Sequence, residues 1–278
     1  MTSTKTLRTT SAAEACETAC TTGRLLETVA IGDVHGRADL LEALLEEVTS
    51  APERRRVVFL GDIVDRGPDS RLALKLVAQE LEASSQSFLL LGNHEELMLK
   101  FLDERHKGGP FHIWMQNGGV ATLRAFDLDP HLDPYRIAEI LSDFDEVQVL
   151  RKGKDMLLSD EFAFVHAGVR PEIPLDQQAR FDVRWIREPF LSFKNSFGKM
   201  IVHGHTPTAT GLPELHGNRI NLDTGAFATG RLSAVHLTAD ESAFCFLQAD
   251  GSVHGGVKVR NCLPAVAEAT HQDGRTSM

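Results

Sequence analysis

The stretch VVFLGDIVDRGPDS, residues 57–70, places four apolar residues before a glycine and then two acids and a base within five positions. A run that is apolar on both faces and β-branched at two positions is typical of a central strand in a parallel sheet. In open α/β sheets, ligands bind outside the carboxyl ends of the strands, where loops hold polar side chains on a rigid support. Asp62, Asp65 and Arg66 therefore lie where a functional site is expected.

Four further apolar runs end in the same pattern, with aspartate, asparagine or histidine after the strand. They are TVAIGDVHGR (residues 28–37), SFLLLGNHEE (87–96), FAFVHAGVR (162–170) and MIVHGHTPT (200–208). One such motif alone is also compatible with an ordinary Gly-Asp turn. The ordered combination, each member after an apolar strand, favours one shared site. We predict that this site contains Asp33, His35, Asp62, Asn93, His94, His166 and His205, whereas His203 is either a neighbour of it or a hydrogen-bonded core histidine.

The composition is that of a globular protein with a large core. The chain has 278 residues, of which 42% are hydrophobic and 24% charged, enough for one large domain or two small ones. We predict a single domain over residues 25–262, with tails at 1–24 and 263–278. The net charge of -10 argues against binding to nucleic acids or to an anionic membrane surface.

Neither a long apolar span nor the apolar segment of a signal peptide is evident in the sequence. We therefore expect a cytoplasmic protein. The four cysteines (Cys16, Cys20, Cys245 and Cys262) lie near the two ends and lack the spacing of a zinc site. Free thiols are the expected state in a reducing compartment.

Apolar periodicity predicts a β-α-β-α-β unit in the first third of the chain. Its elements are a strand at 27–31, a helix from Ala38 to Val48, a strand at 57–60, a helix capped by Asp69 or Ser70, and a strand at 87–91. Helical pieces broken at 117–119, Pro130 and Pro134 follow over 97–160, and we expect them to cover the site. Short strands are predicted at 161–165, 199–202, 219–222, 232–237 and 243–247.

A mixed set of carboxylate, amide and imidazole ligands suits Mn, Fe or Zn ions better than a thiolate site would. Asp33 and His35 are two apart, so on an extended segment they point the same way and can chelate one ion. A second ion can be held by Asn93, His166 and His205. The Asp62 carboxylate can bridge two ions about 3.5 to 4 Å apart.

The motifs GDVHG, GDIVDRG, GNHE, HAG and GHT, in this order between Gly32 and Thr206, resemble those of the metallophosphoesterases. The resemblance is strongest to the phosphoprotein phosphatase branch, which includes the phage lambda phosphatase. It implies an α/β fold: an αββα sandwich of two mixed sheets flanked by helices, with a dinuclear centre at the sheet edge. By resemblance, the first metal is bound by Asp33, His35 and Asp62, and the second by Asp62, Asn93, His166 and His205. Two divalent ions are implied, with Mn²⁺ expected and Fe²⁺ or Zn²⁺ as alternatives.

The resemblance also implies roles for four residues outside the ligand set. His94 is the proton donor to the leaving oxygen, and Asp65 orients it. Arg66 contacts the phosphate, and we choose Arg187 over Arg184 as a second phosphate contact. The implied activity is that of a serine/threonine protein phosphatase on a phosphoprotein or small phosphoester. We expect no regulatory subunit, and a monomer or weak oligomer.

Two alternatives remain open from the sequence. Symmetrical diadenosine tetraphosphate hydrolases have similar HAG and LDTG segments, but Asp65 and Glu95 resemble the phosphatase branch more closely. A non-catalytic scaffold is disfavoured because every ligand is intact. Some metallophosphoesterases have a further histidine two residues after the one in GHT. Here that position is Pro207, which fits a first metal with three protein ligands.

Overall fold

A computed structural model describes residues 18–20, 26–48, 54–105, 107–251 and 256–266. Over this part of the chain the strands form two mixed sheets. One has six strands in the order β12-β11-β10-β2-β3-β4, and the other has seven in the order β1-β5-β6-β7-β9-β8-β13. The strands are β1 (Thr18–Cys20), β2 (Glu27–Ile31), β3 (Arg55–Phe59), β4 (Phe88–Leu89), β5 (Met156–Leu158), β6 (Phe162–Val165), β7 (Met200–His203), β8 (Glu214–Leu215), β9 (Arg219–Asn221), β10 (Arg231–Leu237), β11 (Phe244–Asp250), β12 (Lys258–Cys262) and β13 (Ala265–Val266).

Helices cover the outer faces of the sheets. They are α1 (Ala38–Glu47), α2 (Ser70–Ala83), α3 (Asn93–Asp103), α4 (Gly108–Trp114), α5 (Val120–Ala125), α6 (Pro134–Ser142), α7 (Asp145–Gln148), α8 (Arg180–Trp185) and α9 (Ala226–Thr229). The start of α2 follows the predicted cap, since Asp69 Oδ1 accepts a hydrogen bond from the Leu72 amide at 2.9 Å. A π-helical turn, Met115–Gly119, joins α4 to α5 and contains Gly118 with φ of 108°.

Three apolar cores separate four layers. The residues between the two sheets include Val58, Leu60, Phe164 and Val202. A larger core lies between the six-stranded sheet and its helices, and a third lies beneath α8 on the seven-stranded sheet. This αββα arrangement of two mixed sheets confirms the predicted fold.

The register of the parallel strands places their carboxyl ends together. Ile31 on β2 is paired with Phe59 on β3, and Phe59 with Leu89 on β4. In the other sheet, Phe164 on β6 is paired with Val202 on β7. The polar residues that follow these strands therefore leave the sheets at one edge.

Several predicted boundaries were wrong. Residues 18–20 form the edge strand β1, paired with β5, inside the predicted N-terminal tail. Ala265–Val266 form β13, paired with β8, inside the predicted C-terminal tail. The strand predicted at 87–91 is only two residues long, because Leu90 makes an isolated bridge to Lys154 instead. The region 97–160, predicted as helical, ends in strand β5.

The remaining tail residues, including Cys16, lie outside the described part of the chain. Cys245 and Cys262 are free thiols. None of the described helices combines the length and apolar character that a membrane crossing requires.

Candidate active site

The loops after β2 and β3 are joined by backbone hydrogen bonds. The carbonyl oxygen of Asp62 accepts from the amides of Val34 at 3.1 Å and His35 at 2.8 Å. His35 and Asp62 both have left-handed backbones, with φ of 45° and 52°, a conformation that costs about 1 kcal/mol or more per residue. The segment from Asp33 to His35 is thus a turn rather than the extended chain that we predicted. The strained turn is maintained by the hydrogen bonds between the two loops.

Glu95 ties the loop after β3 to the start of α3. Its buried carboxylate accepts from the amides of Asp62 at 2.7 Å, Ile63 at 2.8 Å, Val64 at 3.2 Å and Gly92 at 2.9 Å. Burial and the nearby Asp62 charge raise the pKa of Glu95 to about 7, while the backbone donors favour its ionised form. This one side chain therefore fixes two of the loops that carry the site.

Asp62 is the centre of the cluster. Its carboxylate oxygens lie 3.4 Å from His166 Nε2, 3.6 Å from His35 Nε2 and 3.9 Å from His94 Nε2. Burial alone would raise the pKa of Asp62, but the imidazoles of His166, His94, His35 and His205 together hold it below its ordinary value. A single carboxylate thus faces ligands from both sheets, as a bridging ligand must.

The orientation of His166 indicates a cation site. Its Nδ1 atom lies 2.9 Å from the carbonyl oxygen of Leu60, which can only accept, so Nδ1 carries the proton. Burial lowers the pKa of His166, so the ring is neutral and Nε2 holds a lone pair. That lone pair points at Asn93 Oδ1, another acceptor, at 3.0 Å. Two acceptors at this distance repel each other unless a cation lies between them, and this donor set fits a divalent metal.

His35 shows the same arrangement on the other side of Asp62. Its Nδ1 donates to the carbonyl oxygen of Val64 at 2.8 Å, which leaves on Nε2 a lone pair that can bind a metal and that here accepts from Arg66 at 2.9 Å. The ligand atoms of His35, Asp62 and His94 lie within 4.8 Å of one another, and so do those of Asp62, His166 and His205. Asn93 joins the second group, since its Oδ1 is 2.8 Å from His205 Nδ1.

Asp33 is the predicted ligand that stands apart from these two groups. Both of its oxygens accept from the backbone amide of His205, at 3.2 and 3.0 Å. Burial and the charges of Asp223 and Asp62 raise the pKa of Asp33 well above its ordinary value. The carboxylate therefore links the loops of the two sheets, and a positive charge beside it would favour its ionised form.

His94 and Asp65 form a buried pair beside Asp62. His94 Nδ1 donates to Asp65 Oδ2 at 2.8 Å, and His94 Nε2 has no hydrogen-bond partner. Burial lowers the pKa of His94, but the Asp62 and Asp65 carboxylates outweigh burial and raise it above the ordinary value. The two carboxylates therefore favour the cationic imidazole, whose Nε2 faces the cluster.

Asn93 and His94 begin α3 and do not lie on an extended segment as we expected. Successive side chains on a helix point about 100° apart. Asn93 can therefore reach the second ligand group while His94 turns towards Asp65.

The two arginines considered for phosphate binding differ in environment. Arg187 is exposed, and its guanidinium lies 3.4 Å from the carbonyl oxygen of His205. Arg184 is buried and bound to Asp155 and Glu96. The structure thus places Arg187 at the mouth of the site and gives Arg184 a structural partner on each side.

Arg66 also lies at the mouth of the site. It is exposed, its Nη1 is 2.9 Å from His35 Nε2, and its guanidinium lies over the Phe227 ring at 5.2 Å.

Several residues of the site were missed in the sequence. Trp114 and Thr122 bind Asp65 and carry no sequence signal, because their helices lie in the segment to which we assigned no chemistry. Asp223 could have been found, since it follows β9 as the other acids follow their strands. Burial and the Asp62 charge raise the pKa of Asp223 to about 7. His203 is not part of the cluster around Asp62; its ring packs edge-on against Phe190, with ring centroids 4.9 Å apart.

Known proteins similar to this chain are phosphoesterases. A bis(5'-nucleosyl)-tetraphosphatase PrpE [asymmetrical] of Bacillus thuringiensis (strain Al Hakam) is 24% identical over 227 residues, which cover 74% of this chain and 88% of that protein. A solved candidate diadenosine tetraphosphatase has a TM-score of 0.59 at 19% identity, covering 89% of this chain and 99% of its own. A cold-active protein tyrosine phosphatase has a TM-score of 0.57 at 18% identity, covering 90% and 82%.

The family model of the calcineurin-like phosphoesterases (Metallophos) matches residues 26–232. This range contains every strand end that supplies the cluster around Asp62, from the loop after β2 to Asp223. The chain therefore belongs to the calcineurin-like phosphoesterase family.

Proposed function

We propose that this protein is a metal-dependent phosphomonoester hydrolase that acts on phosphoserine or phosphothreonine in proteins. The observation that carries the proposal is the buried His94–Asp65 pair, whose free Nε2 faces the cluster. An aliphatic alkoxide leaves phosphorus only with a proton, whereas a phenol or a nucleotide phosphate is a much better leaving group. A dedicated proton donor therefore matters most for a serine or threonine ester.

We propose the metal ligands that the sequence resemblance implies. Asp33, His35 and Asp62 would hold one ion, and Asp62, Asn93, His166 and His205 the other; the short distances among the second group support its part of the proposal. When bound, such a pair of ions supplies an activated water and neutralises the charge on the phosphoryl oxygens. We propose Mn²⁺ as the ion, because the ligands are oxygens and imidazoles without a thiolate.

The remaining steps belong to residues of the chain. Arg66 and Arg187 are exposed beside the cluster, Arg66 near His35 and Arg187 near His205, where they can bind phosphate oxygens. His94 delivers its Nε2 proton to the leaving oxygen and regains a proton from solvent after the product departs. Asp65 holds the ring and stabilises its cationic form before the transfer.

One observation favours a second candidate function, the hydrolysis of diadenosine tetraphosphate. Phe181 is 67% exposed and stacks on Trp185 with ring centroids 6.2 Å apart and planes 14° apart. Trp185 in turn lies 6.4 Å from His205. An adenine ring could stack on this exposed aromatic surface while its phosphates reach the cluster.

The test compares kcat/KM on three substrates with protein that has been chelated and reloaded with Mn²⁺: a phosphothreonine peptide, the matched phosphotyrosine peptide and diadenosine tetraphosphate. We expect no activity after chelation, recovery with Mn²⁺, and the highest kcat/KM on phosphothreonine. A preference of about a hundredfold for the dinucleotide, roughly 2.8 kcal/mol, would establish the second candidate. Its products would then distinguish symmetrical cleavage, which gives two ADP, from asymmetrical cleavage, which gives ATP and AMP.

A further inference from the structure

We propose that the segment Trp114–Thr122, here named the clamp segment, positions the proton donor: Trp114 and Thr122 hold Asp65 in the rotamer that orients His94. The inference rests on the proposed function, because it concerns proton transfer to the leaving group. It assigns a task to the joint between α4 and α5, which lies outside the strand ends that supply the metal ligands.

Trp114 binds the Asp65 carboxylate from one side. Its indole Nε1 donates to Oδ1 at 3.0 Å and to Oδ2 at 3.1 Å, and both side chains are fully buried. The indole stacks on Phe101 with ring centroids 5.3 Å apart. Phe101 belongs to α3, the helix that carries His94. The tryptophan is thus fixed by the same helix whose histidine it helps to orient.

Thr122 binds Asp65 at two points with one hydroxyl. Oγ1 donates to Asp65 Oδ1 at 2.7 Å and accepts from the Asp65 amide at 2.9 Å. Ser70 Oγ also accepts from this amide at 3.1 Å and lies 3.1 Å from Thr122 Oγ1. The Thr122 hydroxyl therefore contacts both the backbone amide and the carboxylate of Asp65. These contacts stabilise Asp65 in its left-handed conformation, with φ of 73°.

These contacts fix the plane of the Asp65 carboxylate. Thr122 donates to Oδ1 and Trp114 donates to both oxygens, so Oδ2 is held where it accepts from His94 Nδ1 at 2.8 Å. Without the two donors, the carboxylate loses the contacts that select this rotamer, and the ring loses its fixed direction. Neither Trp114 nor Thr122 makes a hydrogen bond to a proposed metal ligand, so replacing them should leave metal binding unchanged.

The clamp is tested with Thr122→Val and Trp114→Phe, which remove the donors and keep similar shapes. The substrates are a phosphothreonine peptide, whose leaving group needs a proton, and p-nitrophenyl phosphate, whose leaving group does not. We expect kcat on the peptide to fall about 10- to 100-fold, as for other residues that support a catalytic group, with a loss of less than about threefold on p-nitrophenyl phosphate. Metal content should be unchanged. Thr122→Ser should retain kcat on both, and Ser142→Ala, which removes a helix-surface hydroxyl bond, should change neither.

Equal losses on the two substrates, or a loss of bound metal, would show that Trp114 and Thr122 only support the fold. If the unaltered protein hydrolyses neither substrate, the proposed function fails, and the clamp is then judged by NMR. The chain has two tryptophans, so their indole N–H signals can be assigned by substitution. Asp65→Asn should shift the Trp114 signal and leave that of Trp185 in place. An unmoved Trp114 signal would overturn the clamp.

Discussion

The buried histidines of the site differ in the partner of Nδ1, and this partner decides what each ring can do. In His35 and His166 the partner is a backbone carbonyl, which fixes a proton on Nδ1 and leaves a lone pair on Nε2. Burial lowers the pKa of His35 to about 3 and also lowers that of His166, which favours the neutral rings that can bind a metal ion. In His94 the partner is the Asp65 carboxylate, and the two nearby carboxylates raise the pKa of the imidazole. One residue type can thus offer a metal-binding lone pair or a proton according to a single hydrogen bond.

This distinction was only partly visible in the sequence. The strand-end pattern identified the histidines, but ligand and acid could be separated only by resemblance, because the partners Val64, Leu60 and Asp65 are chosen by three-dimensional packing. Trp114 and Thr122, which complete the environment of Asp65, are 49 and 57 residues away from it. No local pattern encodes such contacts.

His94→Asn should keep both metals and lose kcat by roughly 10²- to 10⁴-fold on an alkyl phosphoester, the range for a lost general acid. On p-nitrophenyl phosphate the same variant should lose much less, since this leaving group departs without a proton. Asp65→Asn should show a weaker version of the same difference. The measurement is the ratio of kcat losses on the two substrates at full metal occupancy. Equal losses would remove His94 from the role of proton donor.

Asp62→Asn should lose more metal than Asp33→Asn. Asp62 faces histidines of both ligand groups, so weakening it affects both ions, whereas Asp33 should bind one. We expect metal per chain to approach zero in the first variant and one in the second, measured by elemental analysis after dialysis against Mn²⁺. Equal metal content in the two variants would argue that Asp62 is not shared.

At the scale of elements, the site depends on where strands end and where one helix is interrupted. Most strand ends were predicted, because an apolar run followed by glycine and an acid is a strong local signal. The interruption of the helix at 117–119 was also predicted, but its contact with the loop after β3 was not. Gly118 lies against Arg66: its carbonyl oxygen accepts from the Arg66 amide at 3.3 Å. The interruption therefore brings the end of one helix onto the loop after β3.

Gly118→Ala should weaken substrate binding. Gly118 has φ of 108°, and an added Cβ would lie 2.9 Å from Arg66 Cγ and 3.1 Å from Arg66 N, so both the backbone and Arg66 must shift. We expect KM to rise about tenfold, equivalent to one charge-assisted hydrogen bond of about 1.5 kcal/mol. Gly109→Ala is the matched control, since its added Cβ meets nothing within 4 Å. The same KM in both variants would show that Arg66 does not depend on this contact.

At the scale of the whole molecule, the two sheets bring acids together that neither sheet would bury alone. Asp62 follows β3 of the six-stranded sheet and Asp223 follows β9 of the seven-stranded one. Their proximity contributes to the raised pKa of Asp223. The net negative charge of the chain can be predicted from its composition. The clustering of buried acids cannot, because it arises only when the two sheets pack face to face. Ions bound between the sheets would offset it.

The repulsion among these buried carboxylates predicts how the stability of the metal-free protein depends on pH. The pKa of Asp223 is raised to about 7 from an ordinary 3.8. Folding therefore favours its protonated form, and the stability that this form contributes is present below about pH 4 and is lost as the pH rises through about 7. Asparagine has no charge to lose and can still accept from the Gly225 amide, as Asp223 Oδ1 does at 3.0 Å. In chelator, the thermal midpoint of Asp223→Asn should exceed that of the unaltered protein at both pH values, and the excess at pH 8 should be about twice that at pH 5 or more, an effect of one to a few kcal/mol at about 1.36 kcal/mol per pKa unit.

Mn²⁺ should reduce the difference in thermal midpoint between Asp223→Asn and the unaltered protein, because positive charge beside Asp223 favours its ionised form. Asp39→Asn is the control of opposite sign: Arg37 lowers the pKa of Asp39, so its ionised form stabilises the fold above the ordinary pKa and the asparagine variant should be the less stable one at both pH values. The measurement is the thermal midpoint of the three proteins at pH 5 and pH 8, in chelator and in Mn²⁺. A difference between Asp223→Asn and the unaltered protein that stays constant with pH in chelator would contradict the prediction. It would mean that Asp223 is already ionised in the folded, metal-free protein, with Arg66 and Arg187 compensating its charge.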